Sequence, residues 1–382
     1  MDSIKSNIDP LGIYIHVPFC VSKCPYCDFY SIGCKGRNDI DEYMDSYVLA
    51  VKRELKRFAD KIKTKSANTV YFGGGTPVLL GEKRIHSIMD EVYKLFSISD
   101  DAEVTMEANP HSALSQKLSD YRNAGINRLS LGLQSANDDE LKLLGRLHSS
   151  KEAGECVKSA QKAGFENISL DLMTALPHQT EEKLLNSIKF CAELGVPHIS
   201  AYILKVEEGT PFYINGISEI CPDDDTQAQL YLYTVNALKD YGYSQYEISN
   251  FAIDIPHRAK HNVKYWNCEE YIGIGPSAHA FFGGRRMYYP RDLKGFINGN
   301  SPIDDGEGGS WEEYLMLRLR LSDGVNLEKL KERGAQNSDI EKIIKKCAPM
   351  QKANYLTLKD NVISLTPEGF LISNAIIAEL IF

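Results

Sequence analysis

Over roughly the first two hundred residues, short apolar runs alternate with stretches in which apolar residues recur every three or four positions. The first pattern is typical of buried strands and the second of amphipathic helices, of which the stretch from Ile40 to Ile62 is the clearest. Strands that alternate with helices favour a parallel sheet with right-handed crossovers, so the sequence predicts six βα units in an α/β fold. The strand-like runs are GIYIHV, NTVYF, EVTMEANP, INRLSLGLQS, ISLDLMTALP and HISAYIL.

The pattern changes near Glu207, where EEGTPFYINGISEICPDDD, rich in glycine, proline and aspartate, indicates an exposed connection. We therefore expect one domain over residues 1–206 and a second over residues 207–382. In the second, helical stretches precede YLTLKDNVISLTPEGF, which predicts a hairpin turning at Asp360–Asn361 and hence a winged-helix-like subdomain. Because this region is not strongly basic, we interpret it as a packing element and not as a DNA reader.

Composition narrows the class of protein. The chain has 382 residues, 43% of them hydrophobic, and a net charge of −9, which argues against a broad nucleic-acid surface. No basic run leads into an apolar stretch at the N-terminus, and FLISNAIIAELIF is too short to cross a bilayer, so we expect a cytoplasmic protein without an integral membrane segment. Nine cysteines fit reduced thiols in that compartment.

Three of these cysteines stand in YIHVPFCVSKCPYCDFYS with the spacing C-x3-C-x2-C, and Tyr26 precedes the third. Three thiolates are one short of a closed metal site, but a [4Fe–4S] cluster held by three cysteines leaves one iron open. The small molecule that accompanies this spacing is S-adenosylmethionine (SAM). A structural zinc site would want a fourth ligand, and the only nearby candidates, His16 and Cys34, lack a usual spacing. The cysteines concerned are Cys20, Cys24 and Cys27.

Polar and glycine residues occur where the predicted strands end, the edge at which ligands gather in parallel α/β folds. GGGTP, from Gly73 to Pro77, lacks the lysine of a phosphate-binding loop and predicts a close backbone approach to a ligand. SAM carries a carboxylate, an ammonium and hydroxyls, so its pocket needs charged and amide groups together. Arg146 is suited to the carboxylate. The ammonium and hydroxyls suit Glu107, Gln134 and Asp171.

HNVKYW places His261 among cations and aromatic residues. A single histidine is often only a hydrogen-bonding residue, but this setting also suits a flat, apolar tetrapyrrole with two carboxylates. Arg285 and Arg286 could add positive charge for such a ligand. Further on, the glycine-rich IGIGPSAHAFFGG, which contains His279, could line a cofactor pocket or simply turn the chain, and the sequence leaves both interpretations open.

Together, YIHVPFCVSKCPYCDFYS, YFGGGTP, MEANP, LGLQS, DLMTALP and HNVKYW resemble the HemW family, radical-SAM proteins related to oxygen-independent coproporphyrinogen III oxidase. The resemblance covers nearly the whole chain. It implies a partial (βα)6 barrel with a smaller α+β C-terminal domain, cluster ligands at Cys20, Cys24 and Cys27, and a haem ligand at His261. Tyr26 matches the aromatic residue of the cysteine motif. The implied SAM contacts are Tyr14, Gly74, Gly75, Thr76, Glu107, Gln134, Arg146 and Asp171.

The same resemblance implies a haem chaperone that delivers haem to acceptor haemoproteins while retaining the cluster and SAM. The alternative is an enzyme that decarboxylates coproporphyrinogen III in porphyrin biosynthesis. The oxidases carry a further cysteine two positions beyond the third ligand, where this chain has Phe29, which favours the chaperone. A third hypothesis is another radical-SAM activity on an unrelated substrate. The sequence leaves open whether the chain forms a homodimer.

Overall fold

The computed structural model describes residues 10–62, 66–110 and 112–382, and its centre is a twelve-stranded sheet. The prediction of six βα units is confirmed: six long strands lie side by side in chain order and pair in parallel. The six strands are β1 (Leu11–Val17), β4 (Ser66–Gly74), β5 (Ser97–Ala108), β6 (Arg128–Gln134), β7 (Asn167–Thr174) and β8 (His198–Ile203). Two short strands between β1 and β4, β2 (Phe19–Cys20) and β3 (Ile32–Gly33), pair with each other in a separate sheet.

The crossover helices follow the predicted pattern with one difference. Between β5 and β6, the spacing of Leu114, Leu118 and Tyr121 predicts one helix, whereas the structure has two short helices. Each crossover keeps consecutive strands parallel, so their carboxyl ends meet at one edge of the sheet. The helices are α1 (Ile40–Ala59), α2 (Glu82–Leu95), α3 (Ser112–Ser115), α4 (Leu118–Asn123), α5 (Asp138–Leu143), α6 (Ser150–Lys162) and α7 (Glu181–Glu193).

The two faces of the sheet differ in polarity. On β1, Ile13 and Ile15 belong to the apolar core, whereas Tyr14 and His16 point to the other face and hydrogen-bond to each other. On that second face of neighbouring strands, Glu103 and Arg128 are almost fully buried and form an ion pair at 3.9 Å. The concave side of the partial barrel is therefore lined by polar side chains that need partners.

Strands from the later part of the chain extend both edges of the same sheet. β9 (Ser244–Gln245) and β10 (Asn250–Ala252) continue it beyond β8. On the other side, β11 (Tyr271–Ile274) pairs in parallel with β1, followed by β12 (His279–Phe282), β13 (Arg285–Tyr288) and β14 (Ile303–Glu307). The segment IGIGPSAHAFFGG is thus two strands joined by a turn. The strand-like YSQYEISNFA is interrupted between its two short strands.

The C-terminal segment forms a separate three-stranded sheet of β15 (Val325–Asn326), β16 (Leu356–Lys359) and β17 (Val362–Leu365). The predicted hairpin is confirmed: Asp360 and Asn361 have φ values of 52° and 61°, which suit a tight turn. In the described ranges no helix is long and apolar enough to span a membrane. The helices that follow β8 in the chain are α8 (Pro211–Ile214), α9 (Asp224–Asp240), α10 (Lys260–Trp266), α11 (Leu293–Ile297), α12 (Trp311–Arg318), α13 (Leu327–Glu332), α14 (Asn337–Lys352), α15 (Pro367–Leu371) and α16 (Ser373–Ile381).

Candidate functional site

The cysteine loop, residues 20–34, leaves the carboxyl end of β1 and presents three partly exposed thiols. It is closed by backbone hydrogen bonds from Cys27 to the carbonyl of Cys24 (3.1 Å) and from Cys34 to the carbonyl of Cys20 (2.8 Å). Among the described residues, no three His, Cys, Asp or Glu side chains are arranged to hold a single metal ion. A [4Fe–4S] cluster binds each thiolate through a different iron, so its cysteines do not share one centre.

Two of the three thiols accept hydrogen bonds, one from the segment after β4 and one from the loop after α5. Thr76 Oγ1 donates to Cys20 Sγ at 3.6 Å, and Arg146 Nη1 donates to Cys24 Sγ at 3.4 Å. Asn109 joins these donors, because its Nδ2 donates to Thr76 Oγ1 (3.3 Å) and its Oδ1 accepts from Arg146 Nη2 (2.5 Å). Donors and a positive charge favour the thiolate form that binds metal.

Asn109 was not predicted from the sequence. It lies just beyond the end of β5 and is separated from Glu107 by one residue in MEANP. Because alternate residues of an extended segment point to the same side, this spacing was the available signal.

The glycines of GGGTP allow β4 to end close against the cysteine loop. Gly75 N–H donates to Val17 O at 2.8 Å, and Thr76 N–H donates to Phe19 O at 2.7 Å. Gly74 has a φ of 106°, in the region that favours glycine. A Cβ on Gly75 would lie 2.6 Å from Phe19 O, so a side chain at that position would push the two segments apart. These glycines therefore bring the end of β4 against the protein's own backbone, and their contact with a ligand stays a prediction.

Glu107 is held at the end of β5 by two donors. Tyr71 Oη donates to its Oε1 at 2.8 Å, and Gly74 N–H donates to its Oε2 at 3.0 Å. Burial raises the pKa of Glu107 to about 7, with Asp171 adding to the effect, because both carboxyls lie away from water. Tyr14 completes this group, with its ring centroid 6.0 Å from that of Tyr71. The arrangement presents a buried carboxyl whose charge a cationic ligand would stabilise.

The side chains of Arg146 and Gln134 meet beside the Cα atom of Gly132. A Cβ on Gly132 would lie 2.8 Å from Gln134 Nε2 and 3.2 Å from Arg146 Nη2, and Gly132 O accepts from Arg146 Nη2 at 2.7 Å. Gln134 has a φ of 71°, a costly conformation for a residue with a side chain. Arg146 Nε is buried and has no partner in the described structure. A buried donor without an acceptor is what a carboxylate ligand would satisfy.

Asp171 lies on β7, on the same concave face. Ser130 Oγ lies 3.1 Å from Asp171 Oδ1 and 3.2 Å from Oδ2. Burial raises the pKa of Asp171, and hydrogen bonds from Ser200 and Ser130 oppose this shift. The structure therefore brings Asp171 into the same polar lining as Glu107.

The cysteine loop is held in place by its own Tyr26 and by His16 of β1. Tyr26 packs against Phe212, with ring centroids 6.0 Å apart, and burial raises its pKa. His16 Nδ1 is 3.0 Å from Tyr14 Oη, and its Nε2 is 2.9 Å from Tyr30 O. Burial lowers the pKa of His16 to about 4, so its ring is neutral. Since both nitrogens of His16 have partners, this residue acts as a support for the loop.

His261 lies against the same concave face but nearer the start of the strands, where its ring stacks on that of Tyr71. It is 1% exposed, its Nδ1 is 2.8 Å from Thr69 Oγ1, and its Nε2 is 2.8 Å from Tyr265 Oη. Thr69 precedes Gly74 by five residues, a separation of about 16 Å along a strand. Burial lowers the pKa of His261 to about 3. The backbone N–H of His261 also donates to Glu103 Oε1 at 3.0 Å. The structure therefore does not bring His261 to the cysteine loop.

Comparison with known proteins identifies the fold and the family of this chain. The Radical SAM superfamily matches residues 14–191, and the HemN C-terminal domain matches residues 310–372. The structure resembles coproporphyrinogen III oxidase (HemN) from Escherichia coli, a radical SAM enzyme, with a TM-score of 0.82 at 22% identity, covering 97% of this chain and 90% of that one. At this identity the likeness concerns the fold, and it confirms the predicted radical-SAM barrel with a smaller C-terminal domain.

Relatives are similar over most of their length. Heme chaperone HemW from Haemophilus influenzae is 36% identical over 327 residues, covering 84% of this chain and 85% of the relative. Heme chaperone HemW from Escherichia coli is 36% identical, covering 82% and 84%. The Bacillus subtilis protein of the same name is 33% identical and covers 95% of this chain and 97% of its own. The chain therefore belongs to the HemW family of radical SAM proteins.

Proposed function

We propose that this protein is a haem chaperone that binds haem on a radical-SAM scaffold and delivers it to acceptor haemoproteins. The observation that carries the proposal is the similarity to proteins named heme chaperone HemW along nearly the full length of both chains. The cysteine loop and its polar surroundings support the same conclusion, because they form the kind of site that the predicted cofactors need.

Cys20, Cys24 and Cys27 fit a [4Fe–4S] cluster. Their thiols share one loop, and Thr76 and Arg146 already donate hydrogen bonds to two of them. Hydrogen bonds to cysteine sulfurs are among the features by which proteins tune such clusters. When bound, the cluster supplies an open iron for SAM and a source of single electrons. Cys20, Cys24 and Cys27 would hold this group, with Thr76 and Arg146 as donors to two of the sulfurs.

The neighbouring residues fit the amino-acid end of SAM. The unpaired Nε–H of Arg146 is placed to donate to a carboxylate, and Glu107 offers a buried carboxyl for the ammonium. Gly74 and Gly75 let the end of β4 lie close against the His16 ring and the backbone of Val17 and Phe19, which sets the position of the cysteine loop. Thr76 and Tyr14 contribute by orienting the groups beside them. In the same proposal Gln134 and Asp171 face the remaining polar atoms of SAM.

We expect SAM affinity to rise with pH between about pH 6 and pH 8. Glu107 has a pKa of about 7, so it is mostly protonated at pH 6, and a cationic ligand binds the ionised form. When the pH falls through this pKa, the affinity for SAM decreases by at most about tenfold per pH unit. Calorimetric titration of SAM into anaerobically prepared protein measures this dependence.

Glu107→Gln is the matched variant, because it removes the titration and keeps the shape of the side chain. We expect weaker SAM binding that no longer changes between pH 6 and pH 8. An unchanged pH profile in Glu107→Gln would assign the titration to another group, with Asp171 the first candidate because burial raises its pKa as well.

The assignment of His261 as haem ligand stays a prediction. In the described conformation both ring nitrogens are hydrogen-bonded and the ring stacks on Tyr71 at a centroid distance of 5.2 Å. An iron bond through Nε2 would therefore replace the hydrogen bond to Tyr265 and require α10 to move outward. Haem uptake by His261→Ala decides this point.

The chaperone proposal is tested by transfer. Anaerobically reconstituted protein should take up haem, seen as a Soret band, and should pass it to an apo-haemoprotein at a rate faster than free haem in the same buffer. The reduced protein with SAM should leave coproporphyrinogen III unchanged. Formation of protoporphyrinogen would overturn the proposal in favour of an oxidase, and failure to bind haem would move the function to another radical-SAM activity.

A further inference from the structure

Arg128, at the start of β6, carries a buried positive charge that its surroundings only partly compensate. The side chain is 2% exposed and forms an ion pair with Glu103 at 3.9 Å. Its Nε is buried and has no hydrogen-bond partner among the described residues. Burying a charge is costly unless the charge is both paired and hydrogen-bonded. Packing alone therefore does not explain an arginine at this position.

The neighbours of Arg128 across the sheet do not neutralise this charge. Arg128 is opposite Thr105 of β5 and Asn167 of β7, and side chains at paired positions point to the same face of a sheet. Thr105 Oγ1 and Asn167 Oδ1 are themselves buried and have no partner in the described part of the chain. Neither neighbour is an anion, so the guanidinium keeps its charge toward the interior of the partial barrel.

Glu103, the partner in the ion pair, is turned toward α10. Its Oε2 accepts a hydrogen bond from Lys260 N–H at 2.9 Å, and its Oε1 accepts one from His261 N–H at 3.0 Å. Glu103 precedes Glu107 by four residues, which is about 13 Å along β5. Arg128 lies one strand away and two residues lower in register than Glu107, a separation of about 8 Å. The pair therefore places its positive member nearer to Glu107.

Arg128 is one of two cations among the ionisable side chains described around Glu107. Burial raises the pKa of the tyrosines there well above the ordinary value and lowers the pKa of His16 to about 4, so these groups are neutral near pH 7. Arg146 is the other cation, and in the proposed function its charge is paired with the carboxylate of SAM. The surrounding side chains are Tyr14 and His16 of β1, Tyr71 of β4, Arg128 of β6, Arg146 after α5, Asp171 of β7 and Tyr265 of α10.

A positive charge at this distance favours the ionised form of Glu107. Burial raises the pKa of Glu107 to about 7, Asp171 adds to the effect, and Arg128 opposes it. The charge of Arg128 likewise opposes the effect of burial on the pKa of Asp171. With an effective dielectric constant of about 20, a unit charge about 8 Å away changes a pKa by about 1.5. Without Arg128, Glu107 would therefore be mostly protonated at neutral pH.

We propose that Arg128 is a positioning residue for SAM, because its buried charge holds Glu107 in the ionised form that the ammonium group binds. In this role Arg128 acts through Glu107 and makes no contact with the ligand. The inference rests on the proposed SAM site and deepens it by naming the residue that sets the pH range in which this site binds.

Infrared difference titration follows the ionisation of Glu107 directly, because a protonated carboxyl absorbs separately from a carboxylate. Anaerobically reconstituted full-length protein is titrated from about pH 5 to about pH 10 without SAM, and subtraction of the Glu107→Gln spectra isolates Glu107. Arg128→Met should move the midpoint upward by about one to one and a half pH units. Arg128→Lys keeps the charge and should return the midpoint toward the wild-type value. At pH 7, Arg128→Met should also bind SAM roughly fivefold more weakly.

Glu103→Gln tests the same inference in the opposite direction and does not depend on Arg128→Met being folded. It removes the negative member of the pair, so the midpoint of Glu107 should move downward by about half a pH unit to one unit. Arg122→Met is the matched control, because Arg122 is an exposed arginine on α4, and it should leave the midpoint unchanged. Circular dichroism verifies that each variant is folded.

A purely structural role of Arg128 would give a different result. Arg128→Met would then lower the melting temperature but leave the midpoint of Glu107 at the wild-type value, and Glu103→Gln would not move it either. That result would overturn the inference and leave the proposed SAM site standing. A wild-type protein that binds no SAM at any pH would instead contradict the proposed SAM site itself.

Discussion

Replacing Cys24 with alanine should reduce the iron bound after anaerobic reconstitution from about four atoms per chain to nearly none. The remaining thiols of Cys20 and Cys27 cannot by themselves retain a cube that needs three protein ligands. The substitution also leaves Arg146 Nη1 without the sulfur that accepts its hydrogen bond. Iron and sulfide analysis together with the visible spectrum measure the effect, and SAM binding through the cluster should be lost with it.

Cys34→Ala is the control for this experiment. Cys34 belongs to the same loop, is likewise free and partly exposed, and its backbone N–H hydrogen-bonds to Cys20. Its only side-chain hydrogen bond within the described residues is a weak one to Ile32 O at 3.9 Å. Iron content should therefore be unchanged. Zinc in place of iron in the wild type, or iron loss in Cys34→Ala as large as in Cys24→Ala, would contradict the assignment of the three ligands.

The sequence sufficed for the six βα units because each strand and helix carries its own local periodicity. It also placed Glu107, Gln134 and Asp171 correctly at or near the ends of parallel strands, since topology alone brings those ends to one edge. The position of β11 could not be predicted in this way. Its partner β1 lies more than two hundred residues earlier in the chain, and no local pattern encodes such a pairing.

The supporting contacts of the site were missed for the same reason. Tyr71 and Asn109 matter because of what they touch, Glu107 in one case and both Thr76 and Arg146 in the other. The burial of His261 could not be predicted from HNVKYW either. The backbone N–H of His261, in the first turn of α10, donates to the buried Glu103, a contact between segments far apart in the chain, and the role of His261 as haem ligand stays a prediction. Composition gives the types of residue in a motif, but burial decides which atoms remain free.

Gly75→Ala should destabilise the protein by roughly 2–3 kcal/mol and abolish SAM binding. A Cβ there would meet two backbone carbonyls, those of Phe19 at 2.6 Å and Val17 at 2.8 Å, and a backbone atom cannot rotate away as a side chain can. Relief of the clash must separate β4 from the cysteine loop. That movement strains the hydrogen bonds of Gly75 and Thr76 to the same carbonyls, each worth about 0.5–1.5 kcal/mol.

Gly33→Ala separates this effect from the general cost of replacing glycine. Gly33 ends β3 within the cysteine loop, and a Cβ on it would have no atom within 4 Å, so the stability of Gly33→Ala should change by no more than about 0.5 kcal/mol. Urea unfolding of both variants, followed by SAM titration, makes the comparison. If Gly75→Ala matched Gly33→Ala in both measurements, the close approach of the strand end to the cysteine loop would not be what positions the cofactor. The donor network through Asn109 would then have to carry that role alone.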